Sequence, residues 1–458
     1  MVWVSPRLNL VTIARCLRNQ SSRSRSRWPA IRLRPRDCPQ LPNSVPRSRG
    51  TLTAKPLLVR KPRLTALACH NPSVRILISA GEASGEFYGA KLMEALRCQL
   101  SHQTSAPDLE FFGVGGDQMR AAGCDLLVDA REIAEVGIVE VIKHIPLIYR
   151  RFREVVREAE RRRPDAAVLI DFPEFNLRLA RKLHKLGVPV IYYVSPQLWA
   201  WKQGRIEQVR KYVRKMLVIF PFEERFYRER GIEAQFVGHP LADLPPPQVT
   251  REQFAAEHKL DPAREWIALL PGSRRGEVSR IFPTLLEAAQ LLGPEYVYIV
   301  PVASTLDADW VASFLRDSAG PQITFTGDAR ASLLHARAAA VASGTSTLEA
   351  ALIGTPFTMV YRVAPLTWSL GRRLVKVDRF AMVNLIAERD VVPELVQGEF
   401  TPQRVCAELR RLIPEGEARE TMIAGFGEVR RRLRPSDPGG NASERAAQAV
   451  LALLGSSG

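Results

Sequence analysis

At 458 residues and 46% hydrophobic, the chain is long enough for two or three domains and can bury a substantial core. Its net charge of +17 taken whole would point to a nucleic-acid or membrane partner. However, residues 1–73 hold 15 Lys and Arg against one acid, Asp37, and so carry +14 of it, leaving a nearly neutral body at +3 and arguing against a nucleic-acid-binding protein.

Those first 73 residues are rich in Arg, Ser and Pro and lack apolar periodicity, as in the run SSRSRSR over 21–27. Such a composition cannot offset chain entropy, so they read as a disordered basic extension. It is either a transit-like segment addressed to an organelle such as the mitochondrion or, as preferred here, translation from a start codon set too far upstream in a bacterial gene. Order begins at Val74, where VRILISA over 74–80 reads as a buried strand and residues 87–100 show helical spacing. Strands are predicted over 109–114, 166–170 and 188–194, with a helix between the last two carrying Leu179, Leu183 and Leu186 on one face. Alternating strands and helices predict a parallel sheet covered on both sides.

The Pro-rich joint LPPP over 244–247 then interrupts the pattern, which restarts with a strand over 266–270 and a helix showing Ile281, Leu285, Ala288 and Leu292. Further strands are predicted over 297–300 and 339–342, and closing helices over 403–412 and 443–454. The reading is therefore an α/β chain of two Rossmann-like domains, 74–244 and 245–458. The six cysteines show no CxxC or Cys/His metal spacing, so neither a disulfide framework nor a metal site is expected. No stretch is apolar for the roughly 18 to 20 residues that cross a bilayer.

In open α/β sheets ligands sit beyond the carboxyl ends of the strands, so the loops there carry the chemistry. In LPGSRRGE over 270–277, Gly272 and Ser273 allow backbone N–H groups to approach a diphosphate, and Arg274 adds charge; the bland alternative is a tight turn with a solvated arginine. In ASGTSTLE over 342–349, Gly344 and Thr345 open a helix, and Glu349 reads either as a ribose ligand or as the acid of a capping box with Ser346 as N-cap. In IDFPEFN over 170–176, Asp171 stands at a strand end as a candidate general base, with Pro173 keeping the segment out of a helix, while Glu174 reads as a cap for a helix starting near Asn176. The glycine-rich AGEASGE over 80–86 allows close approach to a ligand. The apolar stretch with Ile138, Ile142 and Leu147, leading into Arg150 and Arg151, is either a surface for an anionic membrane or a core helix. The run SPQLWAWK over 195–202 either shapes a sugar or acyl pocket or packs the domains together, and the histidines at 144, 184, 239 and 335 read as structural.

These strings, with FGVGGD over 112–117, VGIVEV over 136–141, YYVSPQLWAWK over 192–202, GHP over 238–240 and Asn384-Leu385, resemble the lipid-A-disaccharide synthases from about residue 74 to the C-terminus. The resemblance implies a GT-B fold and an inverting transfer needing no metal or cofactor. The donor would be UDP-2,3-diacylglucosamine, and the acceptor the 6-hydroxyl of 2,3-diacylglucosamine 1-phosphate. It implies Asp171 as base, Arg274 as diphosphate partner, Glu349 as nucleotide contact, Asn384 as a further active-site group, and Glu82, Ser84 and Gly85 on the acceptor side. It also implies peripheral attachment to the cytoplasmic face of the inner membrane and a homodimer made by exchanging C-terminal segments. The family's first loop reads GEASGD where this chain has Glu86, which questions any tight hydrogen-bond role for that acid. A UDP-N-acetylglucosamine 2-epimerase is the competing reading on the same fold.

Overall fold

The computed structural model describes residues 73–101, 107–134, 141–315, 321–365, 368–369, 379–437 and 439–455, with backbone alone at 83, 134 and 141–145. The basic extension, apart from Ser73, and Ile138 lie outside the described residues.

The first sheet is built from β1 (Val74–Ala80), β2 (Leu109–Gly115), β3 (Cys124–Asp129), β4 (Ala166–Ile170), β5 (Val190–Tyr193), β6 (Lys215–Val218) and β7 (Ala234–Phe236). The second comprises β8 (Trp266–Leu270), β9 (Val297–Pro301), β10 (Ile323–Thr326), β11 (Ala338–Ala342), β12 (Phe357–Tyr361) and β13 (Glu394–Val396). All neighbouring strands pair in parallel. Parallel strands need helices on both faces, which is why β4, β8, β9, β11 and β12 are buried at every residue and, Thr358 in β12 apart, read as unbroken apolar runs.

Strand order locates the site. The first sheet runs β3-β2-β1-β4-β5-β6-β7 and the second β10-β9-β8-β11-β12-β13. In each, the chain winds outward in one direction and then restarts on the other side of its first strand. The two helical layers therefore part between β1 and β4 and between β8 and β11, opening a crevice at the carboxyl ends. The four loops at these two points are 81–85, 171–173, 271–274 and 343–344.

The chain crosses between the sheets twice. At the first crossing the His239 N–H donates to Leu433 O, 3.0 Å, and Arg434 Nη2 donates to Ala242 O. At the second the Ala442 N–H donates to Asp243 Oδ2, 2.8 Å. The last helix, Ala442–Gly455, leaves the second sheet and packs on the helix Ala83–Ser101 of the first. Its Ala446, Ala447, Ala449 and Val450 join the core formed by Ile76, Ile78 and Leu92. The helix Ala442–Gly455, which the sequence groups with the second domain, thus packs on the first sheet, because its small apolar face covers that sheet.

Candidate active site

On the first sheet, the chain leaving β4 takes left-handed backbone conformations at Asp171 (φ 44°) and Phe172 (φ 49°). Non-glycine residues adopt these only when surroundings hold them, at a cost on the order of 1–3 kcal/mol each. The hold is visible. Buried Asn176 donates from Nδ2 to Asp171 O (2.9 Å), Ile170 O (3.1 Å) and Ser79 O (3.2 Å), and accepts from Ser79 Oγ at 2.7 Å. Tyr192 OH donates to Asp171 O at 2.6 Å. Residues 171–172 are thereby turned so that the helix Pro173–Lys185 can start with Pro173 in its first turn, where a missing N–H costs nothing. Pro173 thus begins a helix rather than preventing one, and the helix starts three residues earlier than expected. Glu174 is not its cap; Lys202 and Arg205 hold that carboxylate.

Burial, reinforced by the charge of Glu82, pushes the Asp171 carboxyl up to about 7, against the Phe172 N–H and the Arg274 guanidinium, which act downward. Glu82 and Ser84 lie half-buried in the loop after β1, with Gly85 buried behind them. Gly81 is required there because a Cβ would fall inside the Phe172 ring. Glu86 faces elsewhere. Its Oε1 accepts from the Gln118 N–H at 2.6 Å, so the longer acid caps the short helix Asp117–Ala121 instead of meeting a ligand.

On the second sheet, Ser273 and Arg274 precede the helix Arg275–Leu292, and Gly344 precedes Thr345–Ile353, so two helix starts present unpaired N–H groups at one crevice. Gly272 has φ 117°, and a Cβ would meet the Glu277 carboxylate, which accepts from the Ser273 N–H at 3.3 Å. Gly344 is the N-cap, and Thr347 closes the first turn by donating from Oγ1 to Gly344 O at 2.7 Å. The expected Ser346/Glu349 capping box is therefore absent, because the helix begins two residues earlier. Glu349 lies in the second turn with no hydrogen bond or ion pair among the described residues, and burial raises its pKa, with Arg330 lowering and Asp328 raising it.

The two sides meet. Arg274 Nη2 lies 3.3 Å from Glu82 Oε1, bridging the loops at the two switch points. Tyr88, one turn into the first-sheet helix, is buried, and its hydroxyl is held protonated by burial first, then by Tyr193, Glu349 and Asp171. Asp171, Glu82, Arg274 and Glu349 thus share one neighbourhood.

Asn384 does not offer a polar atom to it. Fully buried, it accepts at Oδ1 from the Val391 and Val392 N–H groups and donates from Nδ2 to Val392 O and Glu394 Oε1, all at 2.8–2.9 Å. It braces the turn before β13. Of the membrane candidates, Ile142 lies in the helix Val141–Arg162 without a described side chain, Leu147 is half-buried and Arg150 exposed. Arg151 is spent on Glu132 (2.7 Å) and Glu154 (2.8 Å). Sequence reasoning missed Tyr88, Tyr192 and Asn176 as site-shaping groups; the only signal for Asn176 was a polar residue on the otherwise apolar buried face of an amphipathic helix.

Paired parallel sheets with ligand loops facing across one crevice define the GT-B fold class. The same fold is seen in S. aureus MnaA solved with UDP (TM-score 0.57, 12% identity, 83% of this chain and 97% of that one). It is also seen in UDP-GlcNAc 2-epimerase from Neisseria meningitidis bound to UDP-GlcNAc (0.53, 10%, 84% and 100%) and in the calicheamicin glycosyltransferase CalG4 (0.51, 17%, 84% and 98%). Within that class the chain belongs to the lipid-A-disaccharide synthetase family, whose model matches residues 76–449. The lipid-A-disaccharide synthase of Koribacter versatilis is 56% identical over 381 residues, covering 83% of this chain and 98% of that protein, and that of Acidobacterium capsulatum is 49% identical over 393 residues, covering 83% and 96%. It is a glycosyltransferase of lipid A biosynthesis.

Proposed function

We propose that the chain condenses UDP-2,3-diacylglucosamine with 2,3-diacylglucosamine 1-phosphate. The product is the β-1,6-linked disaccharide 1-phosphate, with release of UDP. Asp171 takes the proton from the acceptor 6-hydroxyl as that oxygen bonds to the donor's C1, and the C1–O bond to the diphosphate breaks on the opposite face, inverting the centre. The two helix starts at 275 and 345 and the Arg274 guanidinium stabilise the departing diphosphate, and Glu349 meets the ribose hydroxyls. No step requires a metal or cofactor.

The observation carrying this reading is the Arg274–Glu82 contact, 3.3 Å, across the two switch points with Asp171 behind it. Arrival of the diphosphate draws Arg274 away and leaves Glu82 unpaired, which raises the affinity of Asp171 for a proton when one must be taken. Incubation of the purified protein with both acylated sugars in EDTA is expected to yield the disaccharide 1-phosphate and UDP. An epimerised sugar without condensation overturns the reading, and loss of turnover on chelation overturns its metal independence.

Docking on an anionic membrane is supported by a groove of about 830 Å³ along the helix Val141–Arg162, where Tyr149, Arg150, Arg153, Arg157 and Arg161 gather. No helix among the described residues is long and apolar enough to cross a membrane. Reversing Arg150, Arg153 and Arg157 to Glu is expected to abolish co-sedimentation with phosphatidylglycerol vesicles; unchanged sedimentation removes this surface from the proposal. A homodimer would use the segment before Ala442–Gly455 as its exchange connection, and light scattering at monomer mass counts against it.

A further inference from the structure

Beyond the reaction centre, the loop after β5 carries a charge arrangement that the steps above do not use. Two cations converge on one acid: Lys202 Nζ lies 2.8 Å from Glu174 Oε1 and Arg205 Nη2 lies 2.6 Å from Glu174 Oε2. All three side chains are largely withdrawn from solvent, at 21%, 21% and 33% exposure, so the group keeps a net positive charge where charge is poorly solvated. Burial opposes it, but bonds from Arg205 and Lys202 hold the Glu174 carboxyl below its ordinary value, so the acid is ionised and the surplus is one cation. Burial also pushes the Lys202 ammonium down, despite Glu174. The other acids on adjoining helices are committed elsewhere, Glu207 to Arg210 and Glu223 to the Trp199 Nε1–H and Phe220 N–H. Among the described residues, Arg205 spends one of its five N–H donors and Lys202 one of its three on Glu174.

The cluster also has an address. Glu174 follows β4 in the same turn as Asp171, and Lys202 and Arg205 follow β5. Tyr192 ties them together: its hydroxyl donates to Asp171 O at 2.6 Å, and its pKa is raised by burial first, then by Asp171 and Tyr227, with Arg205 acting downward and Glu174 upward. Lys202 Nζ also lies 4.1 Å from the centre of the Trp201 ring, which attracts the charge but takes up none of its conventional acceptor sites. A surplus cation with spare donors is matched by a small anion with several acceptor oxygens.

We propose that Lys202 and Arg205, aligned by Glu174, form the subsite that takes the anionic phosphomonoester of the acceptor sugar, on the sheet that also carries Asp171. The inference rests on reading the Asp171 crevice as the acceptor pocket. It makes phosphorylation at the acceptor's C1 a recognition element, so a sugar with a free C1 hydroxyl is a poor acceptor.

The test is steady-state kinetics at saturating donor, in detergent without phospholipid, with diacylglucosamine 1-phosphate and with the same sugar lacking phosphate. Wild type is expected to prefer the phosphorylated acceptor. Arg205→Ala and Lys202→Ala are each expected to lose roughly 10- to 100-fold in kcat/KM for it, mainly through KM, as for a charge-assisted hydrogen bond. Against the unphosphorylated sugar they should lose little, and Arg205→Lys should restore part of the discrimination. Equal losses on both acceptors, or a wild type indifferent to the phosphate, overturn the subsite. A variant whose only defect is weaker binding to phosphatidylglycerol vesicles also overturns it, by assigning the cations to a lipid headgroup. If wild type glycosylates neither sugar, the proposed function itself has failed, which is a separate result.

Discussion

At the scale of single residues, the central feature is a carboxyl held where its charge is unwelcome. Asp171 sits at about 7 in the folded chain against about 3.9 when unfolded, so the folded state holds that proton more tightly. Stability is then lost as pH rises from about 4 through 7, while the base becomes competent over the upper part of the same range. Asp171→Asn is accordingly expected to lower turnover by roughly two to four orders of magnitude and to melt higher than wild type at pH 8 but not at pH 4.5. Scanning calorimetry at the two pH values with turnover assays checks this; near-normal turnover removes Asp171 as base. Wild-type kcat/KM should rise with pH and level off above about 7. Asn176, Tyr192 and Ser79 are what make such a residue tolerable, since they satisfy the turn that an ionisable side chain would otherwise destabilise.

At the scale of elements, Gly81 in the loop after β1 and Gly85 in the helix that follows do different jobs. A methyl group at Gly81 would collide with the Phe172 ring, so Gly81→Ala must part the β1 and β4 loops. Overpacking of this kind costs on the order of 1–3 kcal/mol. Gly85 is inside the helix Ala83–Ser101, and its Cβ would meet Ile170 Cγ2 at 3.5 Å and Ala80 Cβ at 3.6 Å, ordinary contact. Gly85→Ala is therefore expected to gain up to about 1 kcal/mol of stability from helix propensity, yet to lose activity where a ligand approaches the backbone. Denaturant titration of both variants measures the contrast, and destabilisation of equal size would show that the two loops are not in contact as described. Strand legibility followed the same physics. Strands β4, β8 and β11 were readable because burial on both faces leaves continuous apolar runs. β3, β6 and β7 were not, since they carry exposed or half-buried polar residues such as Asp125, Lys215 and Gln235. β13 is three residues long, too short for any period to show.

At the scale of the whole molecule, the four loops named at the two switch points all lie beyond residue 80. Removal of residues 1–73 is expected to leave transferase activity intact and to reduce binding to heparin; loss of activity together with unchanged heparin binding would reverse the division of the chain drawn from its charge. The sequence by itself determined the two-sheet α/β fold and the family, and marked the loops at the strand ends, because loop glycines, strand-end acids and helix-start hydroxyls are local signals lying within a few residues of one another. It did not show that Asn384 turns inward, that Glu86 caps a neighbouring helix, that the last helix packs on the first sheet, or that Lys202 and Arg205 share Glu174. Each of these joins residues through space. The Arg274–Glu82 contact spans 192 positions of chain and the Gln99–Glu444 bond spans 345. Only the packing of sheets and helices decides which side chains at such separations meet, and which of their charges are left over for a substrate.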